Sequence, residues 1–285
     1  MNLLDETKYI MRKYGIRANK SLGQNFLINE TVIEKIVDSS NIANQDLVIE
    51  IGPGLGTLTK YLLERAGKVI CIELDKKMIS ILEDRFISCD NLEIINEDVL
   101  KVDLNKIISE EKVKGQIKSV KVVANLPYYI TTPIIMKLLE EKIDIQSITV
   151  MIQKEVADRL TAKPGQKDTG AITYTVYYYC ETEEIMEVPN SSFIPEPEVT
   201  SEVICLKVRN KPIVDVDDEK LFFNIIKCAF MQRRKTLLNS LTNNNIFKSK
   251  TEGEKILTEL NLDLNIRAEN LSIEDFERIY NKIKQ

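Results

Sequence analysis

The sequence predicts an α/β protein built on a doubly wound parallel sheet, with a small all-helical region at its C-terminal end. Three observations predict this. From about residue 47, apolar runs of six to nine residues alternate with helical patterns, which is the signature of consecutive βα units. The first run ends on three glycines at alternate positions, Gly52, Gly54 and Gly56, where a strand must turn into a helix. From Leu221 onward only helical periodicity remains.

Each element follows in order. Leu47–Gly52 is apolar except for Glu50, as in a strand buried on both faces. TLTKYLLERAG has helical spacing and ends on Gly67. Lys68–Leu74 reads as the second strand, DKKMISILEDRF as an amphipathic helix, Leu92–Asp98 as the third strand and Ser119–Pro127 as the fourth. Thr132 as N-cap and Pro133 at the first helical position begin a further helix. Ser147–Gln153 is the fifth strand. AITYTVYYYC reads as strand by propensity, and also fits a helix. EEIMEVP and SEVICLKV read as strands that close the sheet, and NKPIVDVDDE as a linker. The expected domains are therefore 1–210 and 211–285.

The chain has 285 residues, 44% hydrophobic and 29% charged, which suits a globular protein with a substantial core. No apolar run approaches the ~18 residues that span a bilayer, and the N-terminus lacks the apolar stretch of a signal peptide. Five cysteines, widely spaced, and no histidine argue against disulfide scaffolding, zinc fingers and histidine-based triads. No metal is expected, and a reducing cytoplasm is the expected location. Thr7–Asn29 holds five bases and no acid, and Leu221–Lys250 six bases and no acid, although the chain as a whole is at −5. Two basic segments on an acidic body fit a polyanion partner better than two solvated faces.

Three features converge on the C-terminal ends of the strands, where open α/β sheets bind ligands. Glycines at 52, 54 and 56 let the backbone approach a nucleoside closely, but the pattern is G-x-G-x-G, without the third glycine spacing of a pyrophosphate loop. Glu73 stands 21 positions after Gly52, where an acid grips a ribose diol. Asp98 closes the third strand and can accept from an adenine amine. An adenosine group with no demand for phosphate binding points to S-adenosylmethionine. Beside that crevice, Asn125-Leu126-Pro127-Tyr128 offers a side-chain carbonyl, a backbone carbonyl aimed by a stiff turn, and a flat ring. Two acceptors on an exocyclic amine favour a localised lone pair on nitrogen, so positioning and electrostatics can carry methyl transfer.

These residues resemble the ribosomal RNA small-subunit adenine dimethyltransferase family over nearly the whole chain. SLGQNFL (Ser21–Leu27) is similar to its N-terminal cofactor motif, EIGPGLGTLT to its glycine motif, EDVL to its third motif and NLPY to its catalytic motif. FIPEPEVTSEV (Phe193–Val203) is similar to its F-x-P-x-P-x-V segment, and QRRKTLLNSL (Gln232–Leu241) to its C-terminal signature helix. The resemblance implies a Rossmann-like methyltransferase sheet with a small all-α RNA-binding domain. It implies a methyl-donor site formed by Gln24, Asn25, Leu27, Gly52, Gly54, Glu73, Asp98 and Asn125. It further implies that Asn125, Leu126, Pro127 and Tyr128 hold the target amine, that Tyr128 and Phe193 sandwich the flipped adenine, and that Arg233, Arg234 and Lys235 on a basic helix contact RNA. The implied reaction is N6,N6-dimethylation of two adjacent adenosines in small-subunit ribosomal RNA during assembly, by a monomer. An erythromycin-resistance methyltransferase of large-subunit RNA, a noncatalytic assembly or transcription factor, and a small-molecule methyltransferase are the rivals. NLPY and the QRRKTL helix weigh against the first, intact Asp98, Asn125 and Tyr128 against the second, and the basic segments against the third.

Overall fold

A computed structural model describes residues 2–19, 23–115, 117–166, 169–232 and 234–284. The chain divides into two compact units, Met1–Ala157 with Thr182–Val208, and Asp158–Glu181 with Arg209–Gln285. The segment Asp158–Glu181 thus groups with the C-terminal helices, whereas the sequence-based boundary at 210/211 leaves it with the sheet.

In chain order the first unit holds α1 (Leu3–Lys13), β1 (Phe26–Leu27), α2 (Glu30–Ser39), β2 (Asp46–Ile51), α3 (Thr57–Arg65), β3 (Lys68–Glu73), α4 (Lys76–Arg85), β4 (Leu92–Asn96), α5 (Leu104–Val113), β5 (Ser119–Asn125), α6 (Thr131–Glu140) and β6 (Ser147–Gln153). After α7 (Lys154–Thr161) and α8 (Ala171–Tyr179) come β7 (Cys180–Val188), β8 (Phe193–Ile194) and β9 (Ser201–Val208). Seven strands form one sheet in the order β4-β3-β2-β5-β6-β9-β7. β2 to β6 run parallel, and β9 pairs antiparallel with β6. All six residues of β2 are buried, because helices cover both faces of a central parallel strand. The order reverses between β2 and β5, so a crevice opens there at the strand C-termini. Register aligns those termini: Ile51 lies opposite Ile72, Glu73 opposite Asn96, and Asn125 opposite Met151.

Two local devices shape the crevice. Gly56 is the N-cap of α3, with a φ of +77° that only glycine adopts without strain. A Cβ there would also lie 2.6 Å from Phe86. β1 and β8 pair antiparallel, with Leu27 opposite Phe193, and so bring the N-terminal motif beside the FIPEPEV segment. α1 is tied down by Glu6, which bonds Arg85 at 2.6 Å and lies 3.7 Å from Lys60. The α6 helix starts at Thr131, one residue before the expected cap at Thr132. Pro133 then sits in the first turn, where its missing N–H is not needed.

In the second unit, α8 resolves the tyrosine-rich stretch as helix. Tyr174 packs edge-on against Phe276 with ring centroids 5.0 Å apart, and its hydroxyl donates to the Leu271 carbonyl at 2.6 Å. Tyr178 meets Phe223 at 5.1 Å. Spaced four apart, these tyrosines share one helix face, and burial of that face overrides β-propensity. α9 (Glu219–Phe230), α10 (Leu237–Asn243), α11 (Lys250–Glu259) and α12 (Ile273–Lys284) complete the unit. Among the described residues, no helix is long and apolar enough to cross a membrane. None of their His, Cys, Asp and Glu side chains cluster as a metal site, and all five cysteines are free thiols.

Candidate active site

One pocket in the first unit gathers most of the residues picked from sequence. Gln24, Asn25, Leu27, Gly52, Gly54, Glu73, Asp98, Asn125, Leu126, Pro127 and Tyr128 all line it. Glu73 ends β3 and is 7% exposed; its two oxygens accept from the backbone N–H groups of Asp75 (2.8 Å) and Gly54 (3.2 Å). The carboxylate is thereby fixed in direction, while burial raises its pKa. Asp98 caps its own turn through one oxygen, which accepts from Leu100 N–H at 3.0 Å, and keeps the other available. Leu74 and Val99, the residues following those two acids, supply apolar walls. Gln24 is held by a bond from its amide to Asp75 at 3.1 Å.

The NLPY turn presents two unused acceptors. The Asn125 amide donates to the Asn25 carbonyl at 3.2 Å, and its Oδ1 accepts no hydrogen bond from any described residue. The Pro127 carbonyl is occupied, accepting from Ile130 N–H and Thr131 Oγ1 at 3.2 and 3.1 Å. The Leu126 carbonyl accepts no hydrogen bond from any described residue. Proline therefore locks the turn, and its neighbour's oxygen is the one left over. The Tyr128 ring is half-buried and its hydroxyl is 2.6 Å from Ser201 Oγ.

Two expectations meet a different arrangement. Phe193 is 1% exposed and packs in the core with Leu27 and Val203. It sits in β8, paired with β1 opposite Leu27, and is not among the residues that line the pocket. Arg234 and Lys235 are exposed, but they lie in the turn between α9 and α10 and not on a helix. Thr236 accepts from Asn239 N–H as the N-cap of α10, and the cap residue must be extended. Arg233 and the Ser21–Leu22 part of the N-terminal motif lie outside the described residues.

Glu50 went unassigned in the sequence, although it is the lone acid in an apolar strand. It lies on the pocket floor, 1% exposed, and accepts from the Cys71 thiol at 3.4 Å. Burial pushes its pKa up to about 7. Ser201, which steadies Tyr128, lies within the FIPEPEVTSEV segment, but nothing in the sequence pairs it with Tyr128.

The donor set tests which cofactor fits. Four carboxyl side chains, Glu50, Glu73, Glu97 and Asp98, line the pocket, and no Lys or Arg among the described residues does. Such a wall repels a pyrophosphate and suits a cationic nucleoside with a free ribose diol. A glycine turn, strand-end carboxylates and an acidic pocket on a doubly wound sheet define a methyltransferase of the S-adenosylmethionine-dependent class.

The ribosomal RNA adenine dimethylase family matches residues 15–285, and the chain belongs to that family. It is 49% identical over 278 residues to ribosomal RNA small subunit methyltransferase A of Alkaliphilus oremlandii, covering 98% of this chain and 96% of that protein. Identity to the protein of the same name from Bacillus cytotoxicus is 50% over 281 residues, with the same coverage. Among solved structures, a dimethyladenosine transferase from Plasmodium falciparum matches with a TM-score of 0.76 at 28% identity, over 91% of this chain and 98% of that one. The 23S rRNA methyltransferase ErmE shares the fold, with a TM-score of 0.68 at 23% identity over 92% of this chain and 100% of that one. The chain is thus an S-adenosylmethionine-dependent ribosomal RNA adenine dimethyltransferase.

Proposed function

We propose that the enzyme dimethylates N6 of two adjacent adenosines in small-subunit ribosomal RNA during subunit assembly, acting as a cytoplasmic monomer. The observation that carries this reading is the pair of unused acceptors, Asn125 Oδ1 and the Leu126 carbonyl, at the end of β5 beside the acidic pocket. Glu73 holds the donor's ribose, Asp98 its adenine amine, and the Gly52–Gly54 turn lets the backbone close on it, with Gln24, Asn25 and Leu27 on the opposite wall. When bound, S-adenosylmethionine supplies an electrophilic methyl group.

The protein's own task is to present a nucleophile. The lone pair of an adenine amine is delocalised into the ring. Asn125 and Leu126 accept its two N–H groups and favour a tetrahedral nitrogen whose lone pair points at the methyl. Tyr128, steadied by Ser201, supplies a face for the extruded base, worth roughly 1–3 kcal/mol against an extrusion cost of a few. The methylated nitrogen sheds one proton to solvent, so a single N–H remains and the second transfer proceeds with one of the two acceptors unpaired. Arg234 and Lys235, exposed and without an ion pair among the described residues, hold RNA phosphates, and so position the substrate without reading its sequence.

The test is to methylate purified small and large subunits lacking the modification and to map the labelled nucleotides. Two neighbouring dimethyladenosines in the small subunit are expected. Label in a single large-subunit adenosine would assign the chain to the erythromycin-resistance type. No label in either subunit, together with no donor binding, would make it a noncatalytic factor.

A further inference from the structure

Two tyrosines follow the NLP turn, and they differ. Tyr128 is half-buried and tied to Ser201. Tyr129 also lines the pocket, yet it is 58% exposed, with no hydrogen bond or ring contact among the described residues. Gly23, held at φ +61°, lies against one side of the ring: a Cβ there would come within 3.3 Å of Tyr129 Cδ1 and 3.4 Å of Pro127 Cβ. The ring is thus backed from one side and open to solvent on the other. The other aromatics at this pocket are buried or half-buried: Phe26 is 6% exposed and Tyr128 half-buried, so Tyr129 is the exposed aromatic among the residues that line it.

We propose that Tyr129 is a stacking subsite for the nucleobase adjoining the adenosine being methylated. This rests on the proposed substrate, two adjacent adenosines on one strand. When one base leaves the stack and enters the pocket, its neighbour stays at the mouth with one face newly uncovered. A flat ring at that mouth covers the face, and it is sequence-tolerant because every base has a π-face. Each adenosine can then serve in turn as target and as neighbour.

The experiment measures equilibrium binding of small subunits lacking the modification to the wild type and to Tyr129→Ala, Tyr129→Leu and Tyr129→Phe. Binding of S-adenosylhomocysteine to each is followed by calorimetry. Loss of a stacked base weakens binding about 5- to 150-fold, so Ala and Leu should bind subunits that much more weakly, and Phe as well as wild type. Donor-product affinity should be the same in all four. Full subunit affinity in the Ala variant overturns the proposal. So does a Phe variant as weak as Ala, which would make the hydroxyl the contact, or a fall in donor-product affinity, which would make the ring a prop for the cofactor wall through Gly23. Failure of the substrate reading itself would show in the wild type alone, as absence of small-subunit dimethyladenosine.

Discussion

In the proposed mechanism Asn125 acts through its side-chain oxygen, which accepts no hydrogen bond from any described residue, so its value would be realised mainly in the transition state. Asn125→Ala should lower kcat on unmodified subunits by roughly 10²–10³, with a far smaller change in donor-product affinity; near wild-type turnover would remove it from the mechanism. Glu73→Ala should do the opposite, weakening S-adenosylhomocysteine binding while RNA affinity holds. An unchanged dissociation constant by calorimetry would exclude Glu73 from the donor site. Glu50 links the pocket to stability. Its carboxyl titrates at about 7 in the folded protein against an ordinary 4.5, so the folded state holds the proton more tightly than the unfolded chain. Stability is therefore lost as pH rises from 4.5 through 7, by on the order of 3 kcal/mol at about 1.4 kcal/mol per pKa unit. Glu50→Gln should match the wild type near pH 4.5 and melt several degrees higher at pH 8. Melting curves that stay parallel across this range would show that Glu50 does not change charge there.

At the scale of elements, legibility followed burial on both faces. β2, β3, β5 and β6 could be read because central parallel strands are buried along almost their whole length and so carry mainly apolar runs. For α8 the sequence leaves strand and helix both open, since its tyrosines favour strand until α9 and α12 supply rings to pack on. The burial of Phe193 could not be read for a related reason. Its motif identifies the residue, but the direction of its ring depends on the two-residue pairing of β8 with β1, which no local pattern announces. The resemblance puts the basic Arg234–Lys235 pair on the signature helix, yet the Thr236 cap starts α10 only after them. The α3 start gives a direct test of local strain. Gly56→Ala combines positive φ with a Cβ 2.6 Å from Phe86 and 2.8 Å from Leu82 and should cost about 2–4 kcal/mol. Gly115→Ala, at φ +81° with nothing within 4 Å, should cost about 1–2 kcal/mol from backbone strain alone. Equal losses in thermal melts would mean that the α3–α4 packing yields freely.

For the molecule as a whole, charge is segregated along the chain, and subunit binding should show it. Replacing Arg234 and Lys235 by Gln should flatten the salt dependence of subunit binding by roughly 0.7–0.9 log units of slope per lost phosphate contact, and leave donor affinity alone. Parallel lines of equal affinity would place the RNA contact elsewhere, first of all on Lys8 and Arg12, which are exposed on α1. The interrupted path of the chain through its two units has a consequence for biosynthesis. The ribosome delivers α8 with Tyr174 and Tyr178 before it has made Phe223 or Phe276, and the sheet is complete only once β7 and β9 have followed α8. A nascent chain that stops after Val208 carries an aromatic helix without its partners, and a fragment from Arg209 onward lacks one wall of its own core. Neither half should express as a soluble, cooperatively melting species, whereas a sheet fragment with 158–181 replaced by a short linker should.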